Sequence, residues 1–428
     1  MNKFLSGLFV ILMLLITGCA RGPGGGAPAR PTGPVTLHVL YMAQAGYQPP
    51  VFEAITKDFE AQNPNVKVNV SFVKYDEQHE KIVTSAASPT ATYDVIALDL
   101  VWTAEFASRN FVLPVETRVT EKTKKDISPV IWDAFTYQDH VWAMPFLANF
   151  QLFFYNKTML AKAGFSGPPK TIEEWEAQMV ALKKKKILEY PFSDSWNQKE
   201  GLVCEYVWWT GACGGETFNE KGEPVFNQGP GLAALETMVR WVKEGLVNPV
   251  ALTSDEPAAK DTFLAGEAAF TSNWTFQYKL MKDPANSRVA EDAEMGLIPV
   301  SKSIYEKAKN HTATVSGFQG LAIMANSRNP EEAWQYITHV TSPKVQASHL
   351  EEMPVWLPVQ RDQGNRKKDP VLSTKSDQIE GAHHRPKLVK YPEVSSIMQR
   401  YIHQALEQKM SAKEALDKAA AEIKALGN

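Results

Sequence analysis

Charge of one sign is what this chain most lacks. It has 45 Lys and Arg against 48 Asp and Glu in 428 residues, a formal net charge of −3. So even a balance leaves no broad basic face for a phosphate backbone, and no nucleic-acid partner is expected. The four lysines at 183–186 read as the solvated end of a helix. Cysteine is nearly missing, with three in all. Cys204 and Cys213 fit either a disulfide in an oxidising compartment or two free thiols, and both alternatives stand. Catalytic and metal spacings are missing too. No His-Glu-x-x-His occurs among the nine histidines, and His383-His384 has no carboxylate or Cys at ligand spacing. There is no Gly-x-Ser-x-Gly elbow. Residues 164–171 end like a phosphate loop, but Pro168 and Pro169 have no N–H to offer a phosphate. Carboxylates are plentiful and a glycosidase needs two, yet no local motif pairs them. No enzymatic activity, cofactor or metal is therefore expected. Tryptophan, by contrast, is abundant, with 11 copies, several in loop-like contexts.

The N-terminus carries the clearest signal. Asn2 and Lys3 lead into an apolar run over 4–17, broken by Ser6 and Gly7. A run of about 14 residues is too short to span ~30 Å of hydrocarbon as a helix. A short charged start, an apolar middle and a small residue at the end describe an export signal. Ile16-Thr17-Gly18-Cys19 closes it and resembles a bacterial lipobox. That resemblance implies a signal peptide over 1–18, cleavage before Cys19, and an acylated Cys19 sulfur in the bilayer. Residues 19–34 are Gly- and Pro-rich with nothing bulky to bury, and read as a flexible leash. The expected location is outside the cytoplasm, lipid-anchored to the cell membrane. Arg21 leaves open which membrane that is.

Roughly 390 residues remain, enough for two domains with cores of their own. Residues 36–42 read as a strand. Val51, Phe52, Ile55 and Phe59 have helical spacing, ended by Asn63-Pro64. Val66, Val68, Val70 and Phe72 alternate as a half-buried strand. A helix over 77–87, an apolar strand over 95–98 and a helix over 103–109 follow. Strand–helix alternation implies right-handed crossovers and a parallel sheet. Ligands of such sheets sit beyond the carboxyl ends of the strands, where Gln44, Gln48, Asp99, Trp102 and Glu105 fall. Later helices open at Thr171, with Glu174 completing a capping box, at Asn329-Pro330, at Ser342-Pro343 and at Ser411. Four short apolar stretches, 152–155, 268–271, 295–298 and 321–324, lie between them. No internal repeat and no second membrane segment is visible.

Three groups of motifs point to a family. Tyr93-Asp94-Val95-Ile96-Ala97-Leu98-Asp99 is followed by Trp102 and Glu105-Phe106-Ala107. Val141-Trp142-Ala143-Met144-Pro145-Phe146 runs on to Phe154-Tyr155-Asn156-Lys157. Phe263-Leu264-Ala265-Gly266-Glu267-Ala268-Ala269-Phe270 and Asn273-Trp274 combine with Ser316-Gly317-Phe318-Gln319-Gly320 and with Asn329-Pro330-Glu331-Glu332-Ala333-Trp334. In order and spacing, over nearly the whole mature chain, these resemble the maltose-binding-protein-like solute-binding proteins of bacterial sugar importers. The resemblance implies an α/β, two-lobed periplasmic-binding-protein-like fold of type II. Each lobe would hold a mainly parallel sheet flanked by helices. Three crossings are placed near 148–150, 269–272 and 317–320. The first lobe would be 35–148 plus 272–317, and the second 149–271 plus 318–428. Hinge closure would bury a ligand for delivery to the membrane permease of an ABC importer, by a protein that is itself monomeric.

A sugar presents apolar C–H faces and a rim of hydroxyls, so its site needs aromatic rings, amides and carboxylates. By the family pattern Asp99 accepts from sugar hydroxyls, although its place also suits a helix cap. Trp274, after Asn273, matches a stacking tryptophan, and Trp102 is a second candidate. Asn149 stands where relatives carry an acid. Trp196 and Gln198 fall in the second-lobe binding loop, Gln319 at the third crossing, and Trp356 at the rim. Trp208 and Trp209, at helical spacing, read as core. The expected cleft is poor in Lys and Arg, which favours a neutral mono- or oligosaccharide. Another polyol-like solute, such as a glycerol phosphodiester or an amino sugar, is the alternative. A secreted carbohydrate-active enzyme or a sensor on a similar scaffold are further ones.

Overall fold

The chain alternates strand and helix from Val35 onward, and the alternation builds the first lobe. The structure, a computed structural model, describes residues 33–43 and 47–427. Cys19, the signal segment, all but the last two residues of the leash and Gln44 lie outside them. Strand β1 (Val35–Met42) buries Val35, Leu37 and Val39 and exposes Thr36 and His38. Helix α1 (Pro49–Gln62) turns Phe52, Ile55 and Phe59 inward, the spacing of one helical face. Strand β2 (Val66–Val73) lies parallel to β1 in one-to-one register from Val35↔Val66. Helix α2 (Tyr75–Ala87) leads to β3 (Val95–Asp99), buried along its length and parallel to β1. Helix α3 (Thr103–Ser108) follows, and β4 (Met144–Leu147) ends the first pass through this lobe.

The chain then crosses at 148–150 into β5 (Gln151–Asn156). Helix α4 (Ile172–Lys184) starts where Thr171 accepts from the Glu174 N–H at 3.2 Å. Helix α5 (Glu200–Ala212) is buried from Gly201 onward. It is apolar almost all round, as a helix enclosed by other elements must be. Helices α6 (Gly229–Lys243) and α7 (Glu256–Leu264) precede β6 (Phe270–Trp274) and β7 (Ala293–Gly296). Much of the tryptophan excess is absorbed here. Trp208 and Trp209 stack with centroids 4.8 Å apart, Trp175 stacks on Trp209 at 5.7 Å, and Trp241 meets both Trp175 and Trp209 edge-on. These four rings are fully buried.

After β8 (Thr314–Val315) the chain returns to the first lobe. Strand β9 (Gln319–Ile323) slots between β3 and β4, antiparallel to both, completing the order β2-β1-β3-β9-β4. Helix α8 (Pro330–Val340) seals this sheet with Ala333, Tyr336, Ile337 and Val340. Strand β10 (Ala382–His383) pairs with β8, and α9 (Tyr391–Leu406) and α10 (Ala412–Leu426) join the second-lobe core.

Several expectations need correction. Segment 272–317 belongs to the second lobe, because β6 and β7 hydrogen-bond along either side of β5. Residues from 318 to about 379 belong to the first, because β9 is buried in its sheet. The stretches look alike in sequence, and only their partners distinguish them. Accordingly 269–272 is no crossing. The chain passes between lobes at 148–150, where Phe150 bridges Ser316, around 317, and again just before β10. Lastly, the second-lobe sheet is not mainly parallel. Its β6-β5-β7 pairings are all antiparallel, and parallel contacts survive there as single bridges at Thr171 and Phe192. Asn329 starts α8 without a side-chain cap; its Nδ2 reaches Asp94 Oδ1 at 3.4 Å instead.

Among the described residues no helix is long and apolar enough to cross a membrane, and no trio of His, Cys, Asp or Glu is set to hold a metal. Cys204 and Cys213 are free thiols. His383 and His384 sit at the last crossing, where His384 Nδ1 meets the Ser316 hydroxyl at 2.6 Å and His383 Nδ1 meets Glu216 at 2.6 Å.

Candidate ligand-binding cleft

The carboxyl ends of β1, β3 and β6 converge on a cavity of about 450 Å³. Its walls come from both lobes, and its size lies within the range of small-molecule sites. Met42, Tyr75, Asp99, Gln319 and Glu352 line it from the first lobe. Glu200, Gly201, Glu256, Trp274 and Arg385 line it from the second, with Asn149 and Gly317 at the crossings.

Trp274 is the main apolar wall. It ends β6, half-buried, with its ring against the backbone of Gly317. A Cβ at Gly317 would stand 2.6 Å from Trp274 Cζ3, so the close approach of crossing and ring requires glycine. Asn273 holds the residue from behind. Its Oδ1 accepts from the Trp274 N–H at 2.8 Å and its Nδ2 donates to the Glu256 carbonyl at 2.9 Å. The Trp274 indole N–H points to Glu256 Oε1 at 3.5 Å. Gly201 makes room for that carboxylate, since a Cβ there would lie 2.8 Å from Oε1. Tyr75 supplies a second ring and rests on Trp102, stacked at 5.4 Å.

Arg385 ties the lobes together within the cleft. Its Nη2 donates to Asp99 Oδ1 at 2.9 Å and its Nη1 to Glu200 Oε1 at 2.8 Å. Only 2% of its side chain is exposed. Burial opposes its charge most, but Asp99 together with the Cys204, Tyr391 and Tyr75 side chains more than offsets this and holds its pKa above the ordinary value. Glu200 Oε1 also accepts from the Tyr391 hydroxyl at 2.5 Å. Asp99 has a second role, since its Oδ1 accepts from the Val101 N–H at 3.2 Å and caps the turn after β3. Glu352 is almost fully enclosed and bonded to the Thr275 hydroxyl, which also donates to Asn149 Oδ1 at 2.8 Å. Burial pushes the pKa of Glu352 up to about 7.

Of the side chains expected from sequence, Asp99, Asn149, Trp274 and Gln319 meet at this cavity. Six do not line it. Trp102 packs behind Tyr75, and Asn273 positions Trp274 rather than facing the cavity. Trp196 is fully buried edge-on to Phe192. Trp356 is core, with its indole N–H on the Thr341 carbonyl at 2.6 Å. Gln48 and Gln198 are exposed away from the cavity. The expectation of a cleft poor in basic residues also fails. Arg385 lies inside it, and Lys74 and Lys199 stand at its edge. Sequence reasoning missed Tyr75, Glu200, Glu256, Glu352 and Arg385. Tyr75 and Glu256 open helices directly after loops, which was the one available signal.

Known proteins place this geometry in a family. The model of the family described as bacterial extracellular solute-binding protein matches residues 44–347. A Deinococcus radiodurans chain named "Probable ABC transporter-binding protein" is 26% identical over 337 residues, covering 76% of this chain and 77% of the relative. The maltotriose-binding protein of Pyrococcus abyssi is 24% identical over 368 residues, covering 83% and 74%. Among solved structures, maltose-bound T. maritima MalE3 superposes with a TM-score of 0.83 at 24% identity, over 92% of this chain and all of that one. The shared two-lobed architecture and a family match spanning most of the sequence lead to one conclusion: the chain belongs to the bacterial extracellular solute-binding proteins.

Proposed function

We propose that this protein captures a carbohydrate or closely related polyol between its lobes and hands it to the permease of an ABC importer, without chemically changing it. The observation that carries the reading is the cavity itself. Aromatic rings from both lobes, Tyr75 and Trp274, share one space with carboxylates and with the amides Asn149 and Gln319. Rings suit the C–H faces of a sugar, and planar acceptors suit its hydroxyl rim. A phosphodiester fits less well, because carboxylates outnumber cations around the cavity. The relatives named for maltotriose and maltose make oligosaccharides the first probes.

A thermal-shift series with maltose, maltotriose, mannitol and glycerol phosphodiesters tests this. A ligand bound by the folded state alone raises the melting temperature by mass action. A shift with a sugar or polyol, and recovery of that ligand unaltered after long incubation, is the expected result. Steady product formation would transfer the protein to the carbohydrate-active enzymes. Trp274→Ala is expected to weaken the binding by about 1–3 kcal/mol while leaving the melting temperature of the empty protein nearly unchanged. An early-melting variant with unaltered affinity would make Trp274 a core residue.

The mature protein is further proposed to be a monomer held at the membrane by acylated Cys19, with 19–34 as its leash. Cys19→Ala should release the protein into the soluble fraction with unchanged ligand affinity. Retention of lipid by that variant would overturn the anchor.

A further inference from the structure

The cleft holds more carboxyl groups than an uncharged sugar calls for. Asp99, Glu200, Glu256 and Glu352 line it, against one guanidinium inside, that of Arg385. Arg385 is already committed to Asp99 and Glu200. Glu256 and Glu352 therefore have no cation within ion-pair distance among the described residues. The cations acting on them do so at longer range and have partners of their own. Lys199, which acts on Glu256, pairs with Asp76 at 3.4 Å, and Lys375, which acts on Glu352, pairs with Asp369 at 2.9 Å. Burial resists the charge of both carboxyls.

A hydroxyl brings such a pair one proton and no charge. An ammonium brings three N–H donors and the missing charge, and charge-assisted hydrogen bonds are roughly twice as strong as neutral ones. The faces of Trp274 and Tyr75 attract a cation as well. Gly201 adds an argument from shape. It is the residue that allows the Glu256 carboxylate to lie against the first turn of α5, where any side chain would displace it.

We infer that the cleft selects carbohydrates that carry a protonated amine, with Glu256 and Glu352 receiving it. This rests on the carbohydrate reading above and replaces the neutral sugar expected from sequence.

The test is calorimetric titration of the purified protein with matched probes at neutral pH: D-glucosamine against D-glucose, and chitosan disaccharide against cellobiose. Maltose, maltotriose and mannitol serve as neutral references. Within at least one pair the amine should bind about tenfold tighter or more. That ratio should collapse towards one in Glu256→Gln or Glu352→Gln. A ratio within one protein is insensitive to partial loss of fold, and circular dichroism of each empty variant checks folding independently. Equal or weaker binding of every amine, or binding confined to the neutral references, overturns the inference and leaves the carbohydrate reading standing. An amine preference untouched in both variants overturns the assignment to these two residues. Silence across the whole panel overturns the carbohydrate reading and this inference with it.

Discussion

Arg385→Met is expected to cost about 3–5 kcal/mol of folding stability, the usual penalty for leaving a buried charge without its partner. Two carboxylates depend on this guanidinium, Asp99 from the first lobe and Glu200 from the second. Asp99 is 8% exposed at its side chain and Glu200 is 16% exposed, so water makes up little of the loss. Arg385→Lys should fail to restore most of it. The two contacts leave from different nitrogens of a planar fork, and a single ammonium does not reproduce that geometry. Lys199→Ala is the control. Its pair with Asp76 also joins the lobes, but both side chains are more than half exposed at 3.4 Å, and such pairs contribute less than about 1 kcal/mol. Urea unfolding of the three variants checks the order. If Arg385→Met and Lys199→Ala cost the same, Arg385 does not hold the two lobes together. A further variant, Asp99→Asn in the Arg385→Met background, should recover part of the loss by removing one orphaned charge.

The sequence was most legible where the forces are local. From β1 to β3 the strand and helix periods follow each other without interruption, and the fold follows them residue by residue. Legibility ended where a strand is defined by its neighbours. The stretches 295–298 and 321–324 are both short and apolar, and which sheet takes each depends on open edges far away in the chain. The cleft shows the same limit. Asp99 and Trp274 lie at strand ends, where the topology itself points to a ligand. Trp102 was the ring the sequence offered in the turn after Asp99, and its stack with Tyr75 sets Tyr75 at the cavity and Trp102 behind it. Arg385 reaches Asp99 across 286 positions, from a polar loop whose only visible feature was a pair of histidines. No local pattern encodes such a contact.

The second large effect concerns pH and comes from two acids in the second lobe. Asp194 and Glu205 are fully buried and share the Ser272 hydroxyl, which lies 2.7 Å from Asp194 Oδ2 and 3.1 Å from Glu205 Oε2. Burial drives both pKa values up, that of Asp194 to about 7, and the Asp194 carboxylate adds to the rise in Glu205. The folded chain therefore keeps protons that the unfolded chain has released above about pH 4. Stability is then complete below about pH 4 and falls as pH rises through about 7. Over that interval the loss attributable to Asp194 is about 4 kcal/mol. Glu205→Gln should remove the part of the slope that Glu205 carries, leaving that of Asp194, and leave the variant more stable than the parent at about pH 8. The substitution is well accommodated, because Gln151 Nε2 donates to Glu205 Oε1 at 2.6 Å while Gln151 Oε1 is buried without a partner. Turning the Gln151 amide over presents that oxygen to the new side-chain N–H and gives the orphaned acceptor its hydrogen bond. Denaturant midpoints measured from about pH 5 to 8 decide the matter. A parent whose stability is flat or rises over that range, or a Glu205→Gln profile parallel to it, would mean the two carboxyls do not hold the excess proton.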